Sequence, residues 1–245
     1  MLPIGDENEP GHGPAYITLA LIGINVAVFL FLQQAGGEVA FTYGWSAIPL
    51  EITRGVDLVQ AQPIVLNGQP FLVPQAPGPD PIQLTLLSSM FMHASWLHLG
   101  GNMLFLWVFG DNVEHRAGPL LYLLAYFVMG VVGSLAQILS AAASPIPTLG
   151  ASGAISGVLG AYIVLFPGNR VTVLLFRFVT RVPAIVAIGI WIVFQLISGF
   201  GATVVSDESG GGVAYLAHVG GFAAGAAFGL LLRAVPRRGP PAPNW

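Results

Sequence analysis

Four side chains in this sequence could do covalent chemistry together: a serine, two histidines and an asparagine. Ser152 stands in Gly150-Ala151-Ser152-Gly153, where a stretch containing Pro145 and Pro147 gives way to an apolar run. A serine hydroxyl becomes a useful nucleophile when a neutral imidazole takes its proton. His218, in a later apolar run, is placed to be that base. Burial helps keep it neutral, because low-polarity surroundings disfavour the charged form. His98 and Asn102 are spaced i,i+4 and so share one helix face. The first N–H groups of a helix have no intrahelical partner and sit at the positive end of its dipole. At the head of the Ser152 helix, with the Asn102 amide and His98 as further donors, they suit the oxyanion of a tetrahedral intermediate. No Asp or Glu lies inside any of the apolar runs, so a carboxylate third member has no source there. A Ser–His dyad is the serine chemistry that fits.

The elements that must carry these groups are membrane helices. The 245 residues are 55% hydrophobic and 8% charged, where a soluble protein has roughly a quarter charged. The fold class expected is an all-α membrane protein, a bundle of six transmembrane helices. The spans are 15–32, 96–110 (with 84–91 as an interfacial lead-in), 120–143, 152–166, 183–200 and 213–232, each approaching the ~20 residues needed to cross the hydrocarbon core. The second and fourth are short, which suits helices surrounded by protein. Residues 1–14 read as a cytoplasmic tail, 15–233 as one six-span catalytic domain and 234–245 as a second tail. Inside the domain, 33–81 is a long external loop rich in Gly and Pro and without helical periodicity. The segment before the first span is acidic (Asp6, Glu7, Glu9) and lacks the positive flank of a cleaved signal, so that span is expected to be retained. With six spans, seven of the eight arginines fall on the side of the two termini; Arg54 is the exception. The positive-inside rule then puts both ends in the cytoplasm.

Under this topology spans two, four and six run in the same direction, and each carries its polar groups near its outer start. Polar side chains at membrane depth are costly and point to function. His218 shares a helix face with Gly221, Gly225 and Gly229, because steps of 3, 7 and 11 residues nearly complete whole turns. Such a face admits a close neighbour, and span four offers Gly153, Ser156, Gly157, Gly160 and Ala161. Packing of these two spans would bring Ser152 to His218. Leu232 and Arg233 are expected to lie beyond the packed region. The glycine-rich segment 201–212 is expected to cap the site, with Trp191 and Phe194 beside a lateral entry.

Taken singly, each residue has a plain structural role: Ser152 as a helix cap, His218 and Asn102 as polar links between helices, His93 and His98 as surface groups. Taken together they resemble a family. His98-x-x-x-Asn102, Gly150-Ala151-Ser152-Gly153 and Ala217-His218-Val219-Gly220-Gly221 look like the three signatures of rhomboid proteases, in order and on the matching spans. The similarity covers roughly 17–232. It implies that Ser152 and His218 are the catalytic dyad. His98, Asn102, Gly150 and the Ser152 amide would then stabilise the substrate and its oxyanion. His93 sits where members often carry a histidine, and Glu114-His115-Arg116 resembles a structural ExR element. Two positions depart from the pattern. Leu84 and Thr85 stand near where a Trp-Arg pair is usual, and Ser156 stands where an aromatic often stacks on the catalytic histidine.

The resemblance implies an intramembrane serine endopeptidase, cutting in or next to transmembrane segments of other proteins. Its partners are transmembrane substrates and the lipid bilayer, its cofactors none, and its expected location the plasma membrane of a prokaryote. The alternative is a catalytically silent relative that binds transmembrane clients, although such proteins usually lose Ser or His. Without cysteine there is no disulfide, thiolate metal site or thiol nucleophile, and no basic stripe offers a nucleic-acid surface. HExxH and paired membrane aspartates are both missing, which removes zinc and aspartyl proteases. There is no internal repeat or intramembrane carboxylate to support a transporter.

Overall fold

In the computed structural model the described residues are 1–8, 13–66, 68–205 and 214–236. Six helical stretches follow the apolar runs. They are α1 (Tyr16–Ala27, continued by a π turn over Val28–Leu32), α5 (Trp96–Ala117), α6 (Pro119–Ser140), α7 (Ser152–Leu165), α8 (Ala184–Val205) and α9 (Tyr215–Ala234). α6 and α9 are each long and apolar enough to cross a membrane by themselves. α7 has only 14 residues, ~21 Å at 1.5 Å per residue. Every residue from Gly153 to Tyr162 on it is buried, so α7 is a central post enclosed by other helices. The outer faces are apolar instead: Trp107, Leu124, Val128, Leu139, Ile190, Ile197 and Leu230 are all exposed. Apolar surface on this scale needs a hydrocarbon solvent.

Charges appear where helix ends can use them. Ser95 caps α5 by accepting from the His98 N–H. At the other end, α5 runs seven residues past the expected Gly110 and carries Glu114 and Arg116. The Glu114 carboxylate accepts from the Ile17 and Thr18 N–H groups at 3.0 and 2.7 Å, meeting the positive end of α1. The Arg116 guanidinium donates to the carbonyls of Leu232 and of Val235, the latter at 2.7 Å, meeting the negative end of α9. One short stretch thus fastens three helix ends. Gly118 (φ 84°) then makes the sharp reversal into α6, with Pro119 at its first position.

The all-α expectation leaves out two small sheets. β1 (Leu2–Gly5) pairs antiparallel with β4 (Arg170–Leu175), which forms a hairpin with β5 (Phe178–Pro183). Within the expected tail, Leu2 to Asp6 therefore docks beneath the bundle: Leu2 faces Leu174, and Asp6 accepts from the Tyr162 hydroxyl at 2.5 Å and the Asn112 amide at 2.8 Å. The long loop 33–81 also has structure of its own. It contains α2 (Val39–Trp45), α3 (Pro49–Arg54) and a hairpin of β2 (Gln62–Leu66) with β3 (Gln69–Val73); the short α4 (Thr85–Ser88) follows it. This loop is tied to the segment leading into α7. Ala47 and Thr148 exchange two backbone hydrogen bonds, Leu50 N–H donates to Ser144 O, and Thr53 Oγ1 donates to Ala142 O.

The central seam is α7 against α9, with α6 packed on both. A Cβ added at Gly221 would lie 2.0 Å from Gly153 O, and one at Gly225 would lie 1.7 Å from Gly157 O. From the other side, a Cβ at Gly160 would lie 2.1 Å from Phe222 O. The two backbones touch, and only glycine allows it. Leu232 is buried, contrary to the expectation that it lies beyond the packed region, because its turn is drawn against Arg116; Arg233 is exposed.

Candidate active site

The site forms where the heads of α5, α7 and α9 converge. Gly150 adopts φ +126°, a conformation that favours glycine, and its N–H donates to Ser89 O at 2.9 Å. A side chain there would meet His98 Cε1 at 2.8 Å and Nε2 at 2.9 Å. Gly150 thus gives the site space and a turn rather than a free donor. Two residues on, Ser152 opens α7, and the glycine seam sets how near α9 stands. The result is a distance of 2.8 Å between Ser152 Oγ and His218 Nε2. Ser156, one turn below, donates its hydroxyl to Ser152 O at 2.7 Å and does not reach the imidazole as a support.

On α5, His98 and Asn102 face Gly150. The Ala94 N–H donates to His98 Nδ1 at 3.4 Å, which leaves the proton of a neutral ring on Nε2, the nitrogen beside Gly150. Asn102 Nδ2 lies 3.7 Å from the same point and is buried without a hydrogen-bond partner. Buried polar groups are nearly always paired, so an unpaired amide donor beside Gly150, two residues before the serine, is suited to negative charge that develops only during reaction. His93 is fully buried rather than at the surface. Its backbone is held on both sides by the Gln33 side chain, which accepts from His93 N–H at 2.8 Å and donates to His93 O at 3.1 Å. Its ring stands edge-on to that of His98 at 5.0 Å, a wall that fixes the donor's orientation. Among the described residues no cluster of three His, Asp or Glu is arranged to hold a metal.

Two neighbours of His218 escape the sequence reading, and both come from α8. The Trp191 ring lies 5.8 Å from the imidazole, tilted by 39°. Gln195 Oε1 lies 3.0 Å from Nδ1 and is buried. The signal was present: Gln195 is the one amide in an otherwise apolar span. Phe105 of α5 meets Trp191 at 6.4 Å, and the two helices border an apolar cavity of about 210 Å³ that also touches Phe194, Met1 and Pro3. The expected cap, 201–212, falls on the end of α8 and on residues 206–212, which lie outside the described residues.

Residues 83–235 match the family model of the rhomboid domain. The chain belongs to the rhomboid family. It is 29% identical over 225 residues to Rhomboid protein 1, mitochondrial, of Saccharomyces cerevisiae, covering 88% of this chain and 53% of that protein. It is 37% identical over 145 residues to Rhomboid protease GluP of Bacillus subtilis, covering 59% and 26% respectively. It is 31% identical over 154 residues to RHOMBOID-like protein 5 of Arabidopsis thaliana, covering 63% and 45%. This rhomboid therefore spans about half the length of these relatives, or less. They come from a mitochondrion, a bacterium and a plant, so what the likeness carries is residence in a membrane, shared by the family, rather than a particular membrane.

Proposed function

We propose that this rhomboid is an intramembrane serine endopeptidase that hydrolyses peptide bonds in or beside transmembrane segments of other membrane proteins. The observation that carries this is the 2.8 Å approach of Ser152 Oγ to His218 Nε2 at the head of a buried helix. His218 takes the serine proton as Oγ attacks the carbonyl carbon, and the negative charge gathers on the carbonyl oxygen. The Ser152 amide, Asn102 Nδ2 and His98 Nε2–H receive that charge. His218 then returns its proton to the departing amine as the C–N bond breaks. A water, deprotonated in turn by His218, releases the acyl group from Ser152.

Six spans, with both termini on the cytoplasmic side, are proposed as the membrane arrangement. In support, β1, the 170–183 hairpin, Arg116 and Arg233 gather at the end of the bundle opposite Ser152, whereas Arg54 sits on α3 in the loop tied to the segment before Ser152. A plasma membrane of a prokaryote is proposed as its location, with single-span proteins as clients. The deciding experiment incubates purified protein, in detergent and in liposomes, with a labelled single-span substrate beside its Ser152→Ala variant. Cleavage by the native protein alone is expected, with near-equal melting temperatures. Cleavage by both proteins refutes Ser152 as nucleophile. Cleavage by neither, with client still bound, identifies a silent binder.

A further inference from the structure

Nothing inside the two helices that bear the dyad holds the second nitrogen of His218. Its Nε2 faces Ser152, and Nδ1 points away from α7 toward α8. A neutral imidazole carries one proton on either nitrogen, and only the form with a bare Nε2 can accept from a serine hydroxyl. In a buried setting the choice is made by whatever touches Nδ1. Gln195 Oε1 lies there at 3.0 Å, and an amide oxygen can only accept. Trp191 covers the ring's flank at 5.8 Å. Ser156, at the position one turn below the nucleophile, is turned to the Ser152 carbonyl and gives the ring no stacking surface.

Resting on the serine-protease function proposed above, we infer that Gln195 is a positioning residue of the catalytic base. By accepting the Nδ1 proton it fixes His218 in the tautomer that can deprotonate Ser152, and it stops rotation of the ring. It supplies the orienting half of what a carboxylate does in a three-membered serine site, without placing a negative charge in the membrane. Its location makes this more than a local support. Gln195 stands on α8, the helix that also borders the apolar cavity against α5. An outward displacement of α8 beyond ~0.5 Å lengthens the contact past hydrogen-bond range. The base is thus set only while α8 rests against α9.

The test uses full-length protein labelled with ¹⁵N-histidine in lipid nanodiscs, native and with Gln195→Leu or Gln195→Met. Both variants keep the volume and remove the amide oxygen. The His218 signals are identified by their loss in His218→Ala. Native His218 is expected with its proton on Nδ1 and a bare Nε2; both variants are expected to shift toward the opposite tautomer or a mixture. Cleavage of the labelled substrate should lose about tenfold or more in kcat, the scale of one orienting hydrogen bond, with KM little changed. A native His218 protonated on Nε2, or an unchanged Nδ1–H form in the variants, overturns the inference. The native spectrum decides the matter even if neither variant folds. If native protein and Ser152→Ala both fail to cleave, the protease function falls, while the tautomer still judges the role of Gln195.

Discussion

At the residue scale, the proposed chemistry leans on Asn102, whose buried amide has no partner in the resting protein. It stands beside Gly150 and shares that position with His98. In the proposed mechanism, replacement by alanine removes a donor needed only as charge develops. Asn102→Ala is therefore expected to lower kcat by roughly 10- to 1,000-fold with a smaller change in KM. Steady-state kinetics on a labelled substrate measure this, and a normal kcat would reduce Asn102 to a link between helices. The loss stays partial because the His98 ring and the Ser152 amide remain. Ser152, His218, His98 and Asn102 were legible from type and spacing, since reactive groups at the heads of three separate apolar runs need a shared purpose. Gln195 was legible only as a lone amide in span five; its link to His218 depends on the depth at which α8 stands beside α9. That register is set by how the two consecutive helices pack along their length, and no short pattern writes it into span five.

At the scale of helices, the seam between α7 and α9 has no room for a side chain at Gly160, Gly221 or Gly225. Even Gly225→Ala places a Cβ 1.7 Å from a backbone carbonyl that cannot move without its helix. The helices must part, and a misplacement of ~1 Å costs on the order of 100-fold in rate. Gly225→Ala is expected to lose nearly all cleavage and to melt earlier, though it touches no reacting atom. Leu232→Ala should also lower the melting temperature, as a buried leucine does when truncated. Arg233→Ala, on the exposed side of the same turn, should be silent in both measurements. The two bulky residues of α8 divide likewise. Phe194 is 61% exposed and borders the cavity, whereas Trp191 also covers His218. Phe194→Ala should speed cleavage of membrane-embedded clients in liposomes, and Trp191→Ala should gain less or slow it. Equal acceleration by both would remove Trp191 from the support of the base. The helices were legible because each is an apolar run of known length. The strands were not: β1 is four residues long, and its partner lies beyond α7 in the chain.

Across the whole molecule, Asp6, Asp111 and Glu114 gather at the end opposite Ser152, and the half-buried Asp6 makes stability depend on pH. Burial first, and then the nearby Asp111 and Glu7 carboxylates, push the Asp6 carboxyl up to about 7, against the hydrogen bonds from Tyr162 and Asn112. A raised carboxyl binds its proton more tightly in the folded state. Its contribution to stability is full below the ordinary Asp range and is lost as pH rises through about 7. Between mildly acidic and mildly alkaline buffer, the melting temperature of the native protein should fall relative to Asp6→Asn, by a few degrees at most. Parallel pH dependence in the two proteins would show that Asp6 titrates normally. The domain limits read from sequence place residues 1–14 outside the bundle as a tail, yet Leu2 to Asp6 is held by groups from α5, α7 and the hairpin. That attachment has a consequence for biogenesis. β1 leaves the ribosome long before Tyr162 and β4 exist, so its backbone must wait unpaired while several helices enter the bilayer. Only when the hairpin emerges is the edge covered. A chain stalled earlier presents this segment to proteases, and one that has reached the hairpin hides it: strand β1 marks assembly as far as α7, with α8 and α9 still to follow.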